Sequence, residues 1–411
     1  TEFGLFTSID RGEHWVQLEG GLPIIAVRDL DVQEREVDLV VGTFGRGIYI
    51  LDDYTPLRGL QPAALEKDSP TLFQVSEALM YMPTAPLGLR QKAFQGDSFY
   101  SAPNPPPSAL ITYHLPETLE TAAEARRQEE LDKRKEGKPI EYPTWEELEA
   151  EDREDEPAIV LTIRDSAGEV VRRLTGPTTA GFHRVRWDLR HPAPNPVALA
   201  GEEGSFWGAG PEGPMIVPGT YQVSLAKKLD GELVPVGQSR SFDAVPLGAA
   251  TLEAQDREAL LAFQEKTADL QRAVLGAVRA VREADERIEH VRQAILETPA
   301  AGPELMERAR ALEVRLAELQ ERLTGDRTKR RRNAPTLPGI AQRVSRIVQG
   351  HWRATSAPTE THERNYEIAA EQFGAWLPEF RQLVEAELEQ LEQRLEELGA
   401  PWTPGRIPSW P

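Results

Sequence analysis

The chain has 411 residues, no cysteine and a formal net charge of −20 at neutral pH. The length suffices for roughly two to four domains, the lack of thiols excludes disulfides and thiolate metal sites, and the bulk acidity argues against a nucleic-acid partner. No apolar run approaches the roughly 20 residues that cross a bilayer, so no membrane span is expected. The chain opens on Thr1-Glu2-Phe3, with no initiator methionine and no signal-like segment. These first residues already read as the inside of a fold, so the expectation is that the natural N-terminus lies upstream.

Residues 3–7 read as a short strand. Ser8-Ile9-Asp10-Arg11-Gly12-Glu13-His14-Trp15 has the chemistry of a hairpin turn. A short Asp side chain bonds turn amides, Gly supplies positive φ, and Trp is expected to pack under the turn. Val16 and Leu18 continue the second strand. Residues 24–32 and 37–42 give two more, and residues 45–53 leave the unit.

This octapeptide matches the Asp-box pattern S-x-D-x-G-x-x-W at each fixed position, Ser8, Asp10, Gly12 and Trp15. With GTFGRGIYILDD at 42–53, it resembles the closing blade of bacterial BNR (Asp-box) repeat β-propellers, sortilin-like proteins often called glycosyl-hydrolase-like. The resemblance continues through the middle module and the helical tail. It implies that residues 1–55 are a last propeller blade and that Ser8, Asp10, Gly12 and Trp15 are structural, on an outer turn away from the ligand channel. A propeller needs about four to eight blades, and one Asp-box is present. Earlier blades of the same protein, or a completing partner chain, are therefore expected. They would carry the ligand face for a glycan or protein and any catalytic groups. No catalytic, cofactor-binding or metal residue is assigned to this chain. Export to the periplasm or the cell exterior is implied by the resemblance only.

Residues 56–108 read as a connector, with strand material over 72–82 and a stiff proline-rich stretch at 101–107. Residues 109–115 read as a strand. Residues 117–156 read as a charged helical insertion. Helix candidates run over 120–138 and from Thr144, which Glu147 joins at capping-box spacing. Glu146 and Glu147 are a conceivable acid–base pair, but exposed helix charges are the commoner meaning of such residues.

In residues 158–189, Ile159, Leu161 and Ile163 alternate with Val160, Thr162 and Arg164, the period of a strand. Asp165-Ser166-Ala167-Gly168 is turn chemistry. Val170, Val171 and Leu174 then read as a returning strand. Phe182, Val185, Trp187 and Leu189 mark a third, residues 219–225 a fourth, and 233–236 with 241–245 close the module. Short strands with turn signals between them suggest a β-sandwich over 109–247. Its order resembles the immunoglobulin-like modules of bacterial surface proteins, including those of flagellar hook-capping proteins and the sorting modules of secreted enzymes. That resemblance implies an accessory domain. Trp187 and Tyr221 read as core aromatics. Phe206 and Trp207, among glycines in the loop 191–218, are candidates to stack on a ligand, although such residues more often pin a loop to its domain.

From 248 to 411 the period becomes helical. Leu260, Phe263, Thr267, Leu270, Val274, Ala277, Val281, Ala284, Ile288, Val291 and Ile295 alternate steps of three and four. After Thr298-Pro299 and Gly302-Pro303, the same alternation returns in Leu305, Ala309, Leu312, Leu316, Leu319 and Leu323. An antiparallel helical hairpin is expected, with the stripe also able to pair two copies of the chain. Arg327–Arg332 is the one strongly basic run; binding to an acidic surface is one reading, and a solvated connection near a helix C-terminus, where cations are favoured, is the commoner one. Ile340, Val344, Ile347 and His351 stripe a shorter helix. A last helix from about 358 carries Ala370, Phe373, Leu377, Phe380 and Val384, then Leu388, Leu391, Leu395 and Leu398, with a kink or new segment expected at Pro378. Residues 401–411 form a Pro/Trp-rich extension. His351 and His362, near Glu360 and Glu363, match no metal-ligand spacing. No Walker loop, dinucleotide fingerprint, HExxH or GxSxG occurs, so no cofactor is expected.

The resulting expectation is a multidomain β plus α chain: a terminal propeller blade, an Ig-like sandwich with a helical insertion, and a helical bundle. Its function would be that of the C-terminal accessory and structural region of an exported propeller protein, a glycosyl hydrolase by family name whose active site would lie in the missing propeller. The alternative is a non-enzymatic sortilin-like binding or scaffold protein.

Overall fold

Alternating branched and polar residues give way to three-four spacing near residue 257, and strands give way to helices at the same place. The computed structural model describes residues 1–60, 70–83, 107–197, 211–248 and 252–410. The fold is mixed β and α, with several sheets and a set of helices. It divides into two units, one of residues 1–190 with 217–249 and the other of 191–216 with 250–411.

In the first unit, β1 (Phe6–Thr7) and β2 (Val16–Gln17) form a hairpin around the Ser8–Trp15 turn. Strands β3 (Val27–Gln33), β4 (Asp38–Thr43) and β5 (Ile48–Leu51) form a three-stranded antiparallel sheet in the order β3-β4-β5. Its register sets Leu30, Val41 and Tyr49 side by side, as it does Val32, Leu39 and Leu51, on one face. Val40, Ile50 and Ile48 lie on the other. Val41 is buried, yet Leu30, Val32, Ile48 and Ile50 remain exposed, Ile48 at 71%. Both faces of this small sheet thus keep apolar side chains in water. Val37, expected within a strand, instead turns with φ 58°, and its carbonyl accepts from the Tyr54 amide at 2.9 Å.

A short helix α1 (Thr55–Arg58) leads to a second, larger body. Strands β6 (Thr71–Leu72), β7 (Ala78–Met80), β8 (Ala109–Leu115), β9 (Ala158–Arg164), β10 (Val170–Gly176), β11 (Gly181–Trp187), β12 (Gly219–Leu229) and β13 (Glu232–Pro246) follow. They make a five-stranded sheet ordered β10-β9-β12-β13-β7 and a three-stranded sheet ordered β11-β8-β6. All pairs are antiparallel except β13 with β7. The two sheets face each other. Trp187 of the smaller sheet packs edge-on against Tyr221 and Phe242 of the larger, with ring centroids 5.5 and 6.2 Å away. Ile111, Tyr113, Ile159, Leu161, Ile163 and Val223 fill the same interior. The turn after β9 forms as its residues dictate, with Asp165 Oδ1 accepting from the amides of Ala167 and Glu169, both at 2.9 Å.

Between β8 and β9, α2 (Ala122–Lys135) and α3 (Trp145–Glu151) form the charged insertion. Each opens with a capping box, Thr121 with Glu124 and Thr144 with Glu147. Arg126 binds both carboxylate oxygens of Glu151 at 2.7 Å and so joins the two helices.

The second unit holds α4 (Arg257–Glu297), α5 (Pro303–Thr324), α6 (Arg327–Arg330), α7 (Ile340–His351), α8 (Glu360–Arg381) and α9 (Glu389–Glu397), with a π-helical segment Gln382–Leu388 between the last two. Every residue of the α4 stripe is buried except Leu270, which is half-buried, and every residue of the α5 stripe is buried. From Val274 onward these stripes join Ile340, Val344, Phe373, Phe380, Leu388 and Leu391 in one core. The stripe, also able on its sequence to pair two copies, is thus buried within a single chain. No helix among the described residues is long and apolar enough to cross a membrane.

The last helix departs from its expected face. The buried residues are Ala369, Phe373, Trp376, Phe380 and Leu383, not Ala370, Leu377 and Val384. The next buried leucine is Leu388, five residues beyond Leu383. The π segment spans that step, because its wider turn brings residues five apart to one face. Pro378 lies inside α8, which continues past it. The residue four places earlier, where a proline ring presses on the preceding turn, is Gly374.

Candidate functional site

The turn between β1 and β2 is the most organised polar cluster the sequence singled out. Ser8 Oγ donates to Asp10 Oδ1 at 2.7 Å and accepts from the Gly12 amide at 2.7 Å. The His14 amide donates to the same Asp10 oxygen at 2.9 Å, and His14 Nδ1 lies 2.5 Å from Asp10 Oδ2. Arg11 and Gly12 take the left-handed backbone this geometry needs, with φ of 64° and 98°. The His14 amide, the Ser8 hydroxyl and the His14 ring hold the Asp10 carboxyl well below its usual range. Trp15 differs from expectation. It is 62% exposed, and its ring edge stands 4.0 Å from where a Gly12 Cβ would be.

Asp10, Glu13 and His14 bring ligand atoms within 4.8 Å of one another. A carboxylate pair with an imidazole suits a divalent cation in type. However, both Asp10 oxygens already serve the turn, which accounts for the cluster without an ion.

A second polar cluster gathers at the exit of β5, where the sequence marks Asp52 and Asp53 only as acidic residues at which the chain leaves the unit. Asp53 is buried with φ 44°. Its amide donates to Asp38 Oδ1 at 2.9 Å. Its own carboxylate accepts from the Thr55 amide and from Ser76 Oγ, both at 3.0 Å. From β11, the Arg184 guanidinium donates to the carbonyls of Asp52 and Asp53. The cluster fastens the three-stranded sheet to the larger β body. One of its hydrogen bonds is local, from Thr55 to Asp53, and the others join groups 15, 23, 131 and 132 residues apart, so only the doubled aspartate hinted at it.

The remaining candidates are dispersed. Glu147 is committed to its capping box, where the Thr144 amide and hydroxyl lower its pKa. Phe206 and Trp207 lie outside the described residues. His351 is buried, and its ring lies 5.2 Å from that of His362 and 5.5 Å from Phe263. Glu360 and Glu363 are exposed. Neither joins the histidines in a three-ligand group among the described residues. Arg315 and Arg322 on α5 line a recess, but they answer Glu387 and Glu379. Asp10, Asp53 and Glu147, the acidic groups with the best-defined surroundings, thus all serve backbone turns or caps.

No protein-family model matches the chain, and no curated protein matches it in sequence.

Proposed function

We propose that this chain is the C-terminal accessory and structural region of an exported Asp-box propeller protein. Residues 1–55 are its last blade, the paired sheets, which take in β6 and β7 of the expected connector as well as strands of 109–247, are an Ig-like accessory module, and 248–411 are a helical support. The observation that carries this reading is the three-stranded sheet β3-β4-β5. It leaves Leu30 and Val32 exposed on one face and Ile48 and Ile50 on the other. The larger β body and the helical unit each fill their own core. A sheet with apolar residues on both faces needs a neighbour on each side, which is the situation of one blade among several. The Ser8–Trp15 turn supports it, because its Asp10 carboxylate is used up in holding a hairpin.

On this reading the ligand face, for a glycan or a protein, and any pair of hydrolytic carboxylates lie on other blades. A sortilin-like binding protein without hydrolytic activity would use this region in the same way. Hydrogen exchange tests the proposal. Amides of β3, β4 and β5 should exchange fast in this chain alone and slowly in a longer parent protein. Slow exchange there in a proven monomer of this chain would overturn it. An assay of both proteins on aryl glycosides and polysaccharides separates the two activities. Hydrolysis by this chain alone would place an active site within it.

A further inference from the structure

In a chain of net charge −20, residues 327–332 read Arg-Thr-Lys-Arg-Arg-Arg. All six are exposed. The run does not hang loose. Asp326 caps α6 by accepting from the Lys329 amide at 2.9 Å. The Arg331, Arg332 and Ala334 amides close back on the carbonyls of Arg327 and Lys329. Asn333 ends the turn at φ 52°.

The base of the loop is pinched between two glycines. A Cβ on Gly339 would stand 2.4 Å from the Gly325 amide nitrogen. The Gly339 amide donates to Gln342 Oε1 at 3.0 Å. Leu323 and Ile340, just inside the pinch, are buried in the helical core. The loop is therefore a built projection.

Four of its five charges are unanswered among the described residues. Asp326 pairs with Lys329 at 3.0 Å. Among the described residues no carboxylate comes within ion-pair distance of Arg327, Arg330, Arg331 or Arg332. Arg330 and Arg332 donate only to the carbonyls of Thr324 and Thr328. Five residues after Arg332 stands Leu337, 83% exposed, with Pro335 two places before it and Pro338 next after it.

We infer that this loop is a docking element for an anionic phospholipid surface. Four guanidinium groups offer forked donors to phosphate oxygens. A stiff, proline-bracketed Leu337 supplies the apolar contact that a lipid interface accepts and a sulfated polymer or nucleic acid does not require. The acidic remainder of the chain opposes contact only within a Debye length, about 8 Å at physiological salt. A projecting loop can therefore meet the surface while the body stays back.

The test is co-sedimentation of the full chain with vesicles of equal parts phosphatidylglycerol and phosphatidylcholine, beside vesicles of phosphatidylcholine alone, over a series of salt concentrations. Binding is expected to the anionic vesicles only and to weaken as salt rises. A basic residue near such a surface contributes about fivefold in partitioning, so replacing Arg327, Arg330, Arg331 and Arg332 by Gln should lower binding by roughly two to three orders of magnitude. Leu337→Ser should weaken it severalfold and leave the salt slope unchanged. Circular dichroism should match the parent chain in both variants, because the replaced side chains are exposed. The inference fails if anionic vesicles are not bound, or if neutral vesicles bind equally. It also fails if the Gln variant binds as well as the parent, or if heparin is retained by the loop while vesicles are not.

Discussion

Leu270 and Leu316 sit mid-stripe on α4 and α5 and look equivalent in sequence, so the same substitution at each separates stripe membership from burial. Leu316 is 2% exposed, within the core that also holds Val281, Ala284, Ile288 and Leu312. Leu270 is only half-buried at the edge of that core. Leu316→Asp forfeits roughly 2–3 kcal/mol of side-chain burial. It also leaves an unpaired polar group in the interior, costing roughly 2–5 kcal/mol more. The sum, about 5 kcal/mol or above, rivals the whole stability of an ordinary domain. An Asp at 270 can turn its carboxylate to water, so Leu270→Asp should cost about 1–2 kcal/mol. The assay is thermal unfolding of the full chain followed at 222 nm, with amide exchange of α5 peptides to assign the helical transition. Leu316→Asp should abolish or greatly lower that transition and release α5 amides, whereas Leu270→Asp should shift it by a few degrees. Equal effects at the two positions would refute the reasoning, since stripe position alone would then govern stability.

The helical unit should also lose stability in mild acid. Burial, and then the neighbouring His362, hold the His351 pKa below its usual value. The backbone at Ser356 opposes this, yet neither ring nitrogen has a partner in hydrogen-bonding geometry. The unfolded chain therefore binds the proton first. Stability is complete above about pH 6.5 and falls as pH drops from there through the lower folded value. His351→Leu should flatten that part of the stability–pH curve, and an unchanged slope would exclude His351 as its source.

Asp10 moves stability with pH in the same direction, although there the fold favours the charged form. Its pKa is lowered in the fold, so its contribution is present above about pH 4 and fades as pH falls through the folded value. Asp10→Ala should speed exchange of the His14 amide at neutral pH and leave the larger β body untouched. Glu392 is buried and binds Arg287 through both oxygens, at 3.0 and 2.7 Å. Since Arg287 keeps partial access to water, Glu392→Ala should cost about 2–3 kcal/mol. Arg287→Ala added to it should cost less than the sum of the two single changes, as read from the same unfolding transitions.

Much of the helical unit could be read directly from residue spacing, because a helix places residues three and four apart on one face whatever lies around it. The stripes of α4 and α5, the capping boxes at Thr121 and Thr144 and the Asp165 turn all depend on groups within a few residues of one another. The face of α8 could not be read in this way. Trp376 and Leu377 are both apolar neighbours on the inward half, and the selection falls to contacts from elsewhere. Trp376 stacks between Phe373 and Phe380 and donates its Nε1 hydrogen to the Leu319 carbonyl at 2.9 Å. The π turn then carries the shifted phase from Leu383 to Leu388.

Strand pairing shows the same division. Alternation in residues 158–164 announces a strand but is silent on its neighbours, since a period of two looks alike beside any partner. Only the assembled sheets set β7 parallel to β13, and β6 beside β8. The stretch 191–216, contiguous with the β strands in sequence, clusters with the helices. There the indole of Trp352 donates to the Glu212 carbonyl at 3.1 Å. The Asp53 clasp likewise needed Ser76 and Arg184 brought from elsewhere in the chain. What the sequence by itself determined was each element whose cause is local: turn, cap and amphipathic stripe. What the tertiary structure decided was every choice among several apolar or polar partners of equal local merit, because that choice depends on which distant groups share the space and can complete one another's burial and hydrogen bonds.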